Sequence, residues 1–331
     1  MKLSKIHSNW TFEDASAIYH QPLLELAYEA ASIHREFHET SEVQVCTLLS
    51  VKTGGCPEDC GYCPQAARYN TDVAAQKLLS VDEVVLAAKR AKQAGSTRFC
   101  MGAAWREVKD NADFDNVLDM ISQVSDVGLE VCGTLGMATE DQLQKMKYAG
   151  LHAYNHNVDT SEDFYGDIIS TRNYNDRLET LKNTRNANVS ICSGGIIGMG
   201  ESDADRINML LTLATLDKHP ESVPINSLVS IDGTPLQNQK PASSWEMIRM
   251  IATARIMMPA SMVRLSAGRT EMSPETQALC FMAGANSIFA GDKLLTTPNP
   301  SLGEDEQLFS DLGLFPRPAY KTEKIDSTPT H

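Results

Sequence analysis

Three of the eight cysteines crowd into one run, Cys56-Pro-Glu-Asp-Cys60-Gly-Tyr62-Cys63. Spacings of three and then two residues let a single loop present three thiolates to one site, yet leave a four-coordinate metal one ligand short. Thiolates select soft metals, chiefly zinc and iron-sulfur clusters. A structural zinc site normally closes with four protein ligands from paired knuckles, and no second knuckle follows downstream. An iron-sulfur cluster can take the same three thiolates and keep one iron open. An odd trio in one turn is a poor disulfide staple.

Further residues suggest a second site. Cys100, Cys132 and Cys192 each stand alone in the middle of an apolar stretch. Any one of them reads as a small core residue, but alternate residues of barrel strands point inward, so three at matching depths would converge on the axis. Arg264 sits in Met-Val-Arg-Leu-Ser, where an unpaired charge is costly to bury; a salt bridge to a carboxylate is the plainer account. Asn155, Asn157 and Asp159 share parity in Tyr-Asn-His-Asn-Val-Asp, offering donors and acceptors suited to sugar hydroxyls or a urea-like group. A polar strand end explains them equally well. His156, of opposite parity, reads as a satisfied core residue. The run Gly194-Gly195-Ile196-Ile197-Gly198 permits close backbone approach to a ligand. Thr296-Thr297-Pro298-Asn299-Pro300 is a stiff loop that could reach over a barrel mouth. Cys46, Cys280 and the Met250, Met257, Met258, Met262 group read as packing.

The elements that must hold these residues alternate. A helical stretch over 12–38, interrupted near Pro22, precedes a strand at 43–51 that ends in Thr53-Gly54-Gly55 and delivers the cysteine loop. Helix and strand then repeat: 81–94 and 96–102, 113–126 and 129–135, 139–149 and 152–158, 173–187 and 188–194, 202–216 and 223–229, 243–257 and 261–267, 274–283 and 286–290. Strands alternating with single helices imply parallel pairing, and eight such units close into an α/β fold of the (β/α)8 TIM type. An open doubly wound sheet would carry a phosphate fingerprint, and neither GxGxxG nor GxxxxGK[ST] follows a strand. The expected division is an N-terminal helical cap at 1–40, a barrel at 41–292, and a C-terminal loop and tail at 293–331, frayed over 322–331. The cysteine loop then lies on the carboxyl-terminal rim, where barrel enzymes place their chemistry.

Composition narrows the partners. A formal charge of -14 over 331 residues argues against nucleic acid or an anionic membrane as the main partner. No apolar run approaches a membrane span and no secretory start is visible, which makes the cytoplasm the expectation. In a reducing compartment eight cysteines are ligands or buried thiols.

The cysteine loop with Tyr62 before its last thiol resembles the signature of radical S-adenosylmethionine enzymes. From about Trp10 to Pro316 the chain is similar to the biotin synthase family. The matching stretches are Gly54 to Cys60, Arg98-Phe-Cys-Met-Gly-Ala-Ala-Trp105, Tyr154 to Asn157, Gly194 to Glu201, and Val263-Arg-Leu-Ser-Ala-Gly-Arg269. The resemblance implies a 4Fe-4S cluster on Cys56, Cys60 and Cys63, with S-adenosylmethionine on its open iron. It also implies a 2Fe-2S cluster on Cys100, Cys132, Cys192 and Arg264, which donates sulfur to dethiobiotin through 5'-deoxyadenosyl radical chemistry. Asn157 and Asp159 would meet cofactor ribose or the substrate ureido ring, with Asn155 and Asn226 in the same pocket. Arg177 would meet the cofactor carboxylate, Gly194, Gly195 and Ile196 the adenosyl portion beside Tyr62, and Thr296 and Thr297 the substrate. A flavodoxin or ferredoxin as electron donor and a homodimer are the implied partners. Two other readings stay open: a different radical enzyme whose barrel cysteines are only core, and an iron-sulfur carrier or zinc-stabilised scaffold.

Overall fold

The computed structural model describes residues 6–319, so the expected frayed tail at 322–331 lies outside the described residues. Two helices come first, α1 (Phe12–Tyr19) and α2 (Leu23–Phe37), divided at Pro22. Then β1 (Glu42–Lys52), α3 (Val81–Gln93), β2 (Arg98–Ala103), α4 (Ala112–Asp126), β3 (Glu130–Thr134), α5 (Glu140–Ala149) and β4 (Leu151–Asn155) follow. The second half runs α6 (Glu162–Ile168), α7 (Tyr174–Asn186), β5 (Ser190–Cys192), β6 (Gly195–Ile197), α8 (Asp203–Ala214), β7 (Ser222–Ser227), α9 (Ser244–Met257) and β8 (Met262–Leu265), then α10 (Pro274–Met282) and β9 (Ser287–Phe289). It ends in the hairpin β10 (Lys293–Leu294) and β11 (Thr297–Pro298), α11 (Leu302–Leu312) and β12 (Phe315–Pro316).

The helices start where local chemistry permits. Ser80 with Glu83, Thr139 with Gln142, Asn173 with Asp176, Ser202 with Asp205 and Ser243 with Glu246 each form a reciprocal capping box, which satisfies amide donors the helix itself leaves unpaired. The strands pair in parallel in the order β1-β2-β3-β4-β5-β7-β8-β9, and β9 returns to β1 through Gln44 with Ser287, Val45 with Ile288 and Cys46 with Phe289. The sheet is therefore a closed eight-stranded (β/α)8 barrel, as the alternation implied, with an apolar layer between strands and helices.

Three expectations change. The strand at 188–194 is two pieces, β5 and β6, because Pro224 on β7 has no amide to give the ladder and its carbonyl oxygen lies 1.9 Å from where a Gly194 Cβ would stand. The strand at 152–158 stops at Asn155; beyond it Asp159 takes a left-handed φ of 68° and bridges to Gly195, so strict alternation does not carry through Asn157 and Asp159. The segment expected as a C-terminal loop contains α11, capped by Ser301 and Glu304 and anchored where Arg269 grips Asp305, and β12, which pairs with the start of β1. The short α6, opened by Ser161, was not anticipated.

The N-terminal helices lie against the outside of the barrel. Trp10 donates its indole N–H to the Met257 carbonyl at 3.1 Å, and the Tyr19 hydroxyl donates to Asp203 at 3.0 Å.

Candidate active site

A cavity of about 320 Å³ opens at the carboxyl-terminal ends of the strands. Its rim is the cysteine loop. Gly54 and Gly55, both at φ 68°, turn the chain out of β1; a side chain on Gly54 would run into the Ala74 carbonyl at 2.8 Å. The loop is then tied to itself by Cys56 N–H to the Gln65 carbonyl at 2.9 Å and Cys63 N–H to the Cys60 carbonyl at 2.9 Å. The acidic pair between the cysteines locks it from outside. Glu58 holds Arg106 at 2.9 Å, and Asp59 accepts from the Ser170 and Thr171 amides at 2.9 and 3.1 Å. Burial works against the Asp59 charge, but the Ser170 and Thr171 hydroxyls, which also donate to it, prevail together with these amides and bring its pKa down to about 2. Burial pushes the Cys60 thiol up to about 11 and Cys63 to about 12, and raises Cys56 as well. These thiols stay protonated without a metal; a metal that takes them as thiolates displaces the protons.

Deeper in the barrel Cys100 and Cys132 face each other across β2 and β3, with Cys192 on β5. All three are buried. Arg264, also buried, donates Nη1 to Cys192 Sγ at 3.6 Å and Nε to Ser287 Oγ at 2.9 Å, and lies 4.6 Å from the Phe289 ring centre. It has no carboxylate partner in the ion pairs described, so the salt-bridge account of Arg264 does not hold among the described residues. Its place at the thiols is shared by Cys46, which the sequence suggested was only packing: Arg264 Nη2 donates to Cys46 Sγ at 3.4 Å. A polar floor closes the barrel below, where Arg98 pairs with Glu130 at 2.9 Å and Gln44 donates to the same carboxylate at 3.2 Å.

The polar wall joins the two thiol sets. Asn155 Nδ2 donates to Asn157 Oδ1 at 3.1 Å and to Cys192 Sγ at 3.2 Å. Asn157 accepts from the Gly194 amide at 3.2 Å, while Asn226 donates to the Gly195 carbonyl at 2.9 Å. Asp159 and Arg177 are paired with one another. Cys56, Cys60, Tyr62, Cys63, Cys100, Cys132, Asn155, Asn157, Asp159, Arg177, Ile196, Asn226, Arg264, Thr296 and Thr297 all line the cavity. Cys192, Gly194 and Gly195 stand behind that wall. A Cβ on Gly195 would fall 2.4 Å from the Asp159 carbonyl oxygen, so this glycine serves close backbone packing there.

Sequence reasoning set His156 aside as a satisfied core residue and passed over Arg172. Both line the cavity, and His156 Nε2 and Arg172 Nε and Nη1 are buried without hydrogen-bond partners. Burial first, and then the Arg177 and Arg172 charges, drive the His156 pKa far down, so the ring is neutral. Its neighbours in Tyr-Asn-His-Asn gave the only signal, because opposite parity ceases to matter once the strand ends at Asn155.

Among the described residues no three His, Cys, Asp or Glu side chains close around a point where one metal ion would fit. Thiols spread over the rim and wall of one cavity suit clusters that bring their own bridging sulfides better than a mononuclear ion, and thiol donors match iron-sulfur chemistry.

Comparison with known proteins agrees. Residues 50–213 match the model of the radical SAM superfamily and residues 224–315 that of the biotin and thiamin synthesis associated domain. The biotin synthase of Cytophaga hutchinsonii is 64% identical over 319 residues, 96% of this chain and 95% of that protein. The mitochondrial biotin synthase of Arabidopsis thaliana is 57% identical over 312 residues, 94% of this chain and 82% of that protein. The crystal structure of methylornithine synthase superposes with a TM-score of 0.78 at 17% identity, covering 93% of this chain and 94% of that one, and so shares the fold. With this barrel, these thiols and these relatives, the chain belongs to the biotin synthase family of radical S-adenosylmethionine enzymes.

Proposed function

We propose that the two thiol sets divide one reaction, the insertion of sulfur into dethiobiotin to form biotin, with Cys56, Cys60 and Cys63 holding a 4Fe-4S cluster and Cys100, Cys132, Cys192 and Arg264 holding a 2Fe-2S cluster. When bound, the first with S-adenosylmethionine would supply radical removal of hydrogen from an unactivated carbon, and the second would be the source of the sulfur.

The chain's own residues orient and shield. Arg177, with the free donors of Arg172 beside it, brings positive charge to the cofactor carboxylate. Asn157 and Asp159 meet ribose hydroxyls or the ureido ring, and Asn155 and Asn226 extend that polar wall. Gly194, Gly195 and Ile196 run beside the adenosyl group, with Tyr62 across from them. Thr296 and Thr297, in the β10–β11 hairpin, meet the substrate at the mouth and help exclude water. In this reading residues 41–292 are the radical barrel, 1–40 the N-terminal helical cap and 293–331 the C-terminal loop and tail, in which Leu294 to Thr297 line the mouth and Phe315–Pro316 pair with β1. A flavodoxin or ferredoxin delivers electrons, and the chain works as a cytoplasmic homodimer. Among the described residues no helix is long and apolar enough to cross a membrane.

The observation that carries this reading is the single cavity with thiols on its rim and on its inner wall. Reconstituted protein given dethiobiotin, S-adenosylmethionine and a reductant should yield biotin and 5'-deoxyadenosine. Deoxyadenosine without biotin would overturn the substrate assignment.

A further inference from the structure

The inner site holds one more sulfur than the proposed function uses. Cys46 is fully buried on β1. It packs in the same buried cluster as Cys100, Cys132 and Cys192. Arg264 joins them, reaching Cys192 with Nη1 at 3.6 Å and Cys46 with Nη2 at 3.4 Å. Four thiols of one buried cluster and one guanidinium thus gather about the barrel axis. A buried cysteine with only a packing role looks different: Cys280 is equally inaccessible, but it lies in the large apolar layer away from the other thiols.

A 2Fe-2S cluster takes four protein donors, most often four thiolates. The group offers five. Arg264 and Cys46 touch, so the same iron lies within reach of either by a small side-chain movement, and the thiolate is the softer and better matched donor.

We propose that Cys46 is a reserve ligand of the inner iron-sulfur centre, exchangeable with Arg264 for the fourth protein position. The inference rests on the inner-site reading above. The exchange balances within the pair: as the Cys46 sulfur takes the iron, its thiol proton passes to the departing guanidine nitrogen and restores the guanidinium. With Cys46 bound the centre is held by four thiolates; with Arg264 bound it is held less firmly and its sulfide is easier to give up.

The test uses the reconstituted full-length chain and reads iron rather than turnover. Wild-type protein should hold about six irons and Arg264→Ala should keep all of them, with the two inner irons merging into one Mössbauer doublet because each then carries two thiolates. The double variant Arg264→Ala/Cys46→Ser should fall to about four irons, or lose its inner pair to a chelator at least about tenfold faster than Arg264→Ala. Two inequivalent inner irons in Arg264→Ala would overturn the proposal, and so would inner irons held as firmly in the double variant as in Arg264→Ala. Because the Mössbauer comparison needs only Arg264→Ala, it decides the matter even if the double variant does not fold. Wild-type protein with only about four irons would instead remove the inner-site reading, and this inference with it.

Discussion

The guanidinium of Arg177 grips the carboxylate of Asp159 inside the cavity wall, with both side chains less than a tenth exposed. Arg177 also donates Nε to the Tyr165 hydroxyl at 2.9 Å. Each residue is positioned by the other. Removing one partner of a buried pair leaves an uncompensated charge. Arg177→Ala should therefore cost about 3–5 kcal/mol in denaturant unfolding, whereas the isosteric pair of changes Arg177→Met and Asp159→Leu should cost far less.

Arg172 differs from its neighbour. Its nearest carboxylate, on Glu58, is 3.7 Å away, and two of its nitrogens are without hydrogen-bond partners. Arg172→Ala should raise the KM for S-adenosylmethionine about tenfold, worth about 1.4 kcal/mol, while changing that for dethiobiotin little. Steady-state kinetics with each substrate varied in turn makes the comparison.

Cys56→Ala/Cys60→Ala/Cys63→Ala should remove the rim cluster and spare the inner one. Iron should fall from about six to about two per chain, and formation of 5'-deoxyadenosine should cease. Absorption spectra and product assays on the same preparation separate the two losses.

Acid should weaken the contact between the N-terminal helices and the barrel. Burial, and then the nearby Arg255 charge, lower the pKa of His34 to about 3 and of His38 to about 4, against 6.5 for an ordinary histidine. The unfolded chain then binds protons that the folded chain refuses, so stability is full above pH 6.5 and falls as the pH drops toward the folded values. Each histidine should contribute a loss of about 2 kcal/mol between pH 7 and pH 5. Denaturant titrations across that range should show a shallower pH dependence in His34→Gln than in wild type.

The three rim thiols were legible, since cysteines in one loop need no tertiary information, but Arg172 beside them was not. Cys100, Cys132, Cys192 and Arg264 were legible as a group only because eight repeats implied a barrel with an inside. Cys46 was not. It lies in a strand of Val and Leu whose inward phase depends on barrel register, and only the pairing of β1 with β2 and β9 settles that. A trace existed: Gln44 and Cys46 are the same two positions apart as Arg98 and Cys100, or Glu130 and Cys132, each a polar residue one step below a thiol. The Arg177–Asp159 pair left no trace, because it depends on a left-handed turn at a residue other than glycine. Helix α11 was hidden by the Pro and acidic residues around it, although Ser301 and Glu304 announce its start.

The floor of Arg98, Glu130 and Gln44 makes the barrel a blind alley. The inner thiols open to the mouth lined by Thr296 and Thr297, and in the proposed function S-adenosylmethionine and dethiobiotin would stand there. On that reading fresh iron or sulfide for a spent centre would come by the route the substrates use, and repair would alternate with turnover.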